Sequence, residues 1–168
     1  MMSPLFHCGS RGGFLTLPRI DLLIAVQEGF MAQPTAQEAL VYIMVIVSAS
    51  DRNMRDEELA RIGAIIRTLP AFADFPQSRT LEAAQDCQKL LHEEAGLEGV
   101  LAMISNALSP EMRETAYALA VDVASADHSV ALEELRILDI LRSKLAIDDA
   151  AVEAIDRAAS IRHRAFTQ

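Results

Sequence analysis

Residues 45–59 are VIVSASDRNMRDEEL, and residues 121–135 are VDVASADHSVALEEL. The two stretches are copies of one pattern, so the chain contains an internal repeat. The identical positions are Val45/Val121, Val47/Val123, Asp51/Asp127, Glu57/Glu133, Glu58/Glu134 and Leu59/Leu135. Each copy predicts an apolar helix, an aspartate at its end, a turn, and an amphipathic helix that begins with two glutamates.

The apolar run at residues 40–47 is the one segment whose secondary structure is ambiguous. Taken alone it is compatible with a buried strand, because it is rich in β-branched residues. The equivalent segment of the second copy is rich in alanine, the strongest helix former. Since the copies share one pattern, the first is also predicted to be a helix. Its apolar character on all sides predicts that this helix is buried at the centre of the fold.

Residues typical of helix starts and ends occur along the rest of the chain. Ser109 is a good N-cap followed by proline at the first helical position. Asp148 or Asp149 is predicted to cap the last helix, and Gly96 is predicted to be the residue that terminates the third. The predicted helices are 37–50, 56–69, 79–94, 97–108, 110–126, 132–144 and 149–164. The predicted fold class is therefore all-α, a bundle of about seven helices.

Composition and charge exclude several classes of protein. The chain has 168 residues, a net charge of −9 at pH 7 and 51% hydrophobic residues, which indicates one folded domain. Its excess of carboxylates would repel phosphate backbones and anionic membrane surfaces, so no nucleic-acid partner is expected. No run approaches the ~18 apolar residues of a membrane span. We expect no membrane insertion and a cytoplasmic location.

The first thirty residues differ in character from the rest. Residues 1–30 are predicted to be an N-terminal extension, poorly ordered or non-native, before a domain at 31–168. The sequence from Met31 to Thr35 resembles a protein start, so we hypothesise that natural translation begins at Met31. A peptide from residues 1–30 in natively produced protein would contradict this. Cys8 and Cys87 lack the spacing of a disulfide framework or zinc site.

The acidic residues of the repeat have a spacing that suggests metal ligands. In each copy an aspartate ends one helix, and seven residues later a glutamate lies in the first turn of the next. Asn53 and Ser129 add neutral oxygen donors two positions after the aspartates. Oxygen clusters of this kind suit Ca²⁺, Mg²⁺ or Mn²⁺. The spacing is not that of an EF-hand, which needs a glycine at position 6 and a glutamate at 12.

Helix capping is the alternative interpretation of the same glutamates. Glu58 and Glu134 lie at the third helical position, from which a glutamate can accept a hydrogen bond from the N-cap amide. The N-cap residues would be Arg55 and Ala131, and neither can supply the other half of a capping box. Both interpretations, capping and metal binding, stay open on the sequence alone.

Motifs of common enzyme classes are absent from the sequence. It contains no glycine-rich phosphate loop, no Gly-x-Ser-x-Gly elbow and no His-Glu-x-x-His pair. The four histidines are scattered, and the Glu-x-x-His order of di-iron bundles does not occur around His92. We therefore expect a protein that is not an enzyme.

Residues 123–134 have the form Val-x-x-Ala-Asp-x-x-Val-x-x-Glu-Glu, which resembles the signature of the tellurite-resistance TerB-like family. Residues 50–59 resemble it as well, and the likeness covers roughly residues 35–165. The resemblance implies a TerB-like helical bundle with two pseudo-symmetric halves, whose two acidic loops meet on a surface proposed to bind divalent metal. It also implies a link to tellurite resistance and stress responses, with membrane-associated TerC-type proteins as partners.

The resemblance assigns the metal-binding role to particular positions. They are Asp51, Glu58, Asp127 and Glu134, with Glu57 and Glu133 beside them. The family usually has glycine directly after each aspartate, where this chain has Arg52 and His128. Glycine permits a positive φ, so these loops must turn differently, and Arg52 would oppose a bound cation. The alternative is a metal-independent protein interaction module that uses the same acidic face.

Overall fold

The computed structural model describes residues 33–48, 55–127 and 132–164. These residues form seven α-helices and two short 3₁₀ turns, without a β-strand among them. The helices are α1 Ala36–Ser48, α2 Asp56–Thr68, α3 Ser78–Leu91, α4 Gly96–Ala107, α5 Pro110–Ala124, α6 Leu132–Lys144 and α7 Asp149–Arg162. The 3₁₀ turns are Pro70–Phe72 and Ser125–Asp127. The predicted all-α fold of about seven helices is confirmed.

Helix α1 is the centre of the bundle. Every residue from Ala39 to Val47 is buried, and the helix packs against α2, α3, α4, α5 and α6. Its contact with α5 is the most extensive of these. Since α1 and α5 are the equivalent helices of the two copies, the halves of the repeat meet through them. The predicted central helix is therefore confirmed.

A capping box fixes the start of α1. The Thr35 backbone N–H donates to Glu38 Oε2 at 2.9 Å, and the Glu38 backbone N–H donates to Thr35 Oγ1 at 3.2 Å. Together these bonds satisfy two amides that the first turn of a helix otherwise leaves unpaired. The cap and the burial outweigh the modest strand preference of the β-branched run that follows.

Two of the predicted helix boundaries hold and one is wrong. Ser109 Oγ accepts the Met112 N–H at 3.4 Å, and Asp148 Oδ1 accepts the Ala150 N–H at 2.9 Å. Gly96, predicted to terminate the third helix, instead begins α4 with a φ of +49°. Helix α3 ends earlier than predicted, at Leu91, and a turn separates it from Gly96. A positive φ there explains the glycine, although its role differs from the predicted one.

Some predictions lie outside the described residues. They concern the extension at 1–30, the start at Met31, Cys8, and residues 49–54 and 128–131, which include Asp51. Within the described part, none of the helices has the length and apolar character needed to cross a membrane.

Candidate functional site

The first acidic segment, which we define as residues 51–58, leads into α2. Helix α1 ends at Ser48 and α2 begins at Asp56, with Asp51 in the part between them that is not described. Glu57 is exposed in the first turn of α2, and Glu58 is half-buried. Glu58 Oε2 accepts the Arg55 backbone N–H at 2.9 Å. One oxygen of Glu58 therefore caps α2, as the capping interpretation requires.

The second acidic segment, residues 127–134, has the same order of elements. Helix α5 is followed by the 3₁₀ turn Ser125–Asp127, and α6 begins at Leu132. The backbone of Asp127 lies in that turn, while its side chain is outside the described part. In the first turn of α6, Glu133 is exposed and Glu134 is half-buried. Both copies thus begin their second helix with a glutamate pair, as predicted.

An apolar groove of about 330 Å³ runs between the end of α1 and the start of α6. Its apolar walls are Ile46 and Val47 from α1 and Ile137 and Ile140 from α6, and its polar rim is Glu133, Glu134 and Arg136. The glutamate pair of the second copy therefore borders the end of α1. Val47 precedes Asp51 by only four residues. The fold thus places the second acidic segment beside the place where the chain enters the first.

The described side chains do not by themselves make a complete metal site. Within residues 33–48, 55–127 and 132–164, no three His, Cys, Asp or Glu side chains are grouped as metal ligands. Of the six predicted ligands, the structure positions Glu57 and Glu58 at the start of α2 and Glu133 and Glu134 at the groove. The two aspartates, whose side chains lie outside the described part, would have to complete any such site.

Helix α6 also carries apolar side chains that face solvent, which the sequence predictions did not include. Leu132 is 73% exposed and Leu135 is 47% exposed, whereas Leu59, the equivalent of Leu135, is half-buried. With Ile137 and Ile140, these residues place apolar side chains on more than one face of α6. The apolar residues of α6 are visible in the sequence, but the groove that some of them form with α1 is seen only in the structure.

The sequence of the chain matches a known protein family. A family model described as Tellurite resistance protein TerB matches residues 37–157. The chain belongs to the TerB family. The TerB match includes both copies of the acidic motif, so the resemblance seen at residues 123–134 is confirmed. No curated protein and no solved structure matches the chain significantly.

Proposed function

We propose that this TerB family member is a non-catalytic binding protein that holds a divalent cation between its two acidic segments. The ligands would be Asp51, Glu58, Asp127 and Glu134, assisted by Glu57 and Glu133. Ca²⁺, Mg²⁺ or Mn²⁺ is the expected ion, because carboxylate oxygens suit hard cations. Tellurite resistance and stress response are the setting that the family suggests, in the cytoplasm.

One observation carries this proposal. Glu133 and Glu134 line the groove together with Ile46 and Val47 at the end of α1. The acidic residues of the second copy are therefore next to the end of α1, after which the chain continues towards Asp51. A shared site needs this proximity, because residues from two distant stretches of sequence must reach one ion.

The capping bond of Glu58 constrains how such a site would be built. Its Oε2 atom is engaged by the Arg55 amide, so its other carboxylate oxygen would face the ion. A ligand held by a backbone hydrogen bond has fewer conformations to lose on binding. In this proposal, capping and metal binding are two uses of one carboxylate.

The test is thermal unfolding of the full chain after chelation, with and without each cation. A site filled at about one hundred times its dissociation constant adds ~2.7 kcal/mol, which raises the midpoint by roughly 5–10 °C for a domain of this size. Monovalent salt at matched ionic strength controls for screening of the net charge. We expect the shift to disappear in Asp51→Asn/Asp127→Asn.

A matched double variant distinguishes a specific site from general acidity. Glu93 and Glu94 form an exposed acidic pair in the turn between α3 and α4. The Glu93→Gln/Glu94→Gln variant changes the net charge by the same amount and should keep the full cation shift. The absence of any ion-specific shift in the unmodified chain would refute the metal-binding proposal.

The groove supports a second candidate function, metal-independent docking of a protein partner through the acidic face. Its apolar walls beside Glu133 and Glu134 suit an apolar side chain flanked by basic residues. A membrane-associated TerC-type protein is the partner that the family suggests. The test is co-purification of a co-expressed TerC-type protein in excess chelator, comparing the unmodified chain with Ile137→Glu. Retention in chelator and loss in the variant would favour docking without metal.

A further inference from the structure

Helix α6 is anchored at its C-terminal end and loosely packed at its N-terminal end. Leu141 and Leu145, which lie in and just beyond its last turn, are fully buried. In contrast, no residue of the first two turns, 132–138, is buried. The leucines of those turns include Leu132 and Leu135, whose side chains face solvent. The fully buried contacts that hold α6 in the bundle are therefore concentrated at one end.

Charged contacts reinforce the same end of α6. Lys144 Nζ donates to Glu98 Oε2 of α4 at 2.5 Å, and Arg142 Nη2 lies 3.6 Å from Asp149 Oδ1 at the start of α7. Exposed ion pairs contribute little individually. Here they add two links to neighbouring helices beside the two buried leucines, so the C-terminal end of α6 is the natural pivot for any movement of this helix.

The space beside the loose end of α6 is the groove that this helix forms with the end of α1. It measures about 330 Å³, with Ile137 and Ile140 on one side and Ile46 and Val47 on the other. Ile137 and Ile140 are only half-buried. Since protein interiors are close-packed, apolar walls that stand apart lack contacts that they would make if they met. A tilt of α6 about its buried end would bring these walls together.

The same tilt would move the glutamates that the proposed cation site needs. Glu133 and Glu134 lie in the first turn of α6, and Glu133 precedes Leu141 by eight residues. Eight residues of helix span about 12 Å, so a tilt of about 15° would displace this turn by about 3 Å. Among the described residues no three potential ligands are grouped around one point. A movement that carries Glu133 and Glu134 towards the end of α1 would help to assemble the site.

We propose that cation binding closes the groove. The N-terminal half of α6 tilts about its buried C-terminal end until Ile137 and Ile140 contact Ile46 and Val47. This inference rests on the proposed cation site and names the conformational response of that site. The cation shifts the equilibrium because it binds the closed form more tightly. Closure also withdraws the groove from a protein partner, so cation binding and docking there would exclude each other.

The experiment is methyl NMR of the full chain, with labelled isoleucine δ1 methyl groups, during titration with Ca²⁺ and separately with Mg²⁺ after chelation. We expect the Ile46 and Ile137 resonances to shift in a saturable manner and the nuclear Overhauser effect between the two methyl groups to strengthen. Ile66, buried near the end of α2 and outside the groove, is the internal control. Its resonance should stay in place.

Two tryptophan variants separate closure from simple binding. Ile137→Trp fills the groove and keeps its walls apart, so the cation affinity measured by calorimetry should fall about tenfold, within the usual range of coupling between sites. Leu135→Trp places the same side chain at an exposed position of α6 that does not line the groove. It should leave the affinity unchanged. Circular dichroism checks that both variants keep their helices.

Three results would overturn the proposal, and they separate it from the cation site on which it rests. A cation that raises the unfolding midpoint but leaves Ile46 and its contact with Ile137 unchanged would refute closure and retain the site. Equal cation affinities of Ile137→Trp and Leu135→Trp would do the same. The absence of any ion-specific effect on the unmodified chain would refute the cation site and closure together.

Discussion

Glu38 both caps the start of α1 and forms an ion pair with a neighbouring helix. Besides its bonds to Thr35, its carboxylate contacts the guanidinium of Arg79 at the start of α3. Burial alone would raise the pKa of Glu38, but the hydrogen bonds from Arg79 and Thr35 outweigh this effect, and its pKa lies below the ordinary value. Glu38 therefore fastens the beginning of the central helix to a neighbouring helix.

Glu38→Gln tests this role, since glutamine keeps the capping geometry and removes the charge. We expect a loss of about 1 kcal/mol in the free energy of unfolding at pH 7. A folded-state pKa below the unfolded value of 4.5 gives a stabilisation that is complete above that value. The stabilisation is then lost as the pH falls through the folded-state pKa. Urea unfolding of both proteins at a series of pH values measures the difference.

The matched control for this experiment is Glu82→Gln. Glu82 is exposed and pairs with the same arginine, Arg79, at 2.6 Å. An exposed ion pair contributes little, so we expect almost no change in stability at any pH. A Glu38→Gln effect that stayed the same down to acidic pH would show that the charge is not its cause.

At the scale of the element, the end of α6 departs from the usual choice of residue. Ala146 has a φ of +50°. Its N–H bonds to the Ser143 carbonyl at 3.2 Å, and the Ile147 N–H bonds to the Arg142 carbonyl at 3.3 Å. These two bonds form a Schellman motif, whose left-handed position is normally occupied by glycine. The helix therefore ends in a favourable bonding pattern with a strained residue.

Ala146→Gly is accordingly expected to stabilise the protein by up to about 1 kcal/mol, because glycine adopts a positive φ without steric cost. The same substitution at Ala154, exposed in the middle of α7, should destabilise it by about 1 kcal/mol through lost helix propensity. Urea unfolding of the two variants compares one chemical change in two backbone conformations. Equal effects of the same sign would contradict the assigned role of Ala146.

At the scale of the whole molecule, Cys87 reports on cooperative unfolding. Its side chain is fully buried on α3, and Sγ donates to the Tyr42 carbonyl of α1 at 3.8 Å. Burial raises the pKa of the Cys87 thiol to about 12. Since the thiolate is the reactive form, the native thiol is protected in two ways: reagents cannot reach it, and it stays protonated.

We expect an aromatic disulfide reagent to modify Cys87 in a Cys8→Ser background only through global unfolding. The free energy from the labelling rate should then equal that from urea unfolding, because α1 and α3 belong to one core. The denatured protein, which should react at once, is the control for reagent activity. Fast labelling under native conditions would show that α3 opens separately.

Much of the fold was predictable because the sequence contains two copies of one motif, which can be compared with each other. The alanine-rich copy before Asp127 identified the β-branched run at 40–47 as a helix, and Ser109 and Asp148 marked true helix starts. The end of α3 was misplaced, because Gly96 signals a positive φ without telling which helix the turn belongs to.

The candidate sites were predictable to different degrees. The glutamate pairs follow from the repeat, whereas the capping bond of Glu58 was one of two interpretations that the sequence left open and was found in the structure. The groove at α1 and α6 depends on how separate helices pack. No local sequence pattern encodes that packing, so this feature required the three-dimensional structure.

The complete burial of α1 has a consequence for how the protein behaves when it unfolds. Residues 40–47 contain neither charge nor proline and are dominated by β-branched and aromatic side chains, the composition of segments that stack into cross-β fibrils. Packing by five other helices keeps the backbone of this segment from pairing with another chain. Unfolding near the isoelectric point, where the net charge no longer separates molecules, should therefore end in aggregation rather than in a refoldable state.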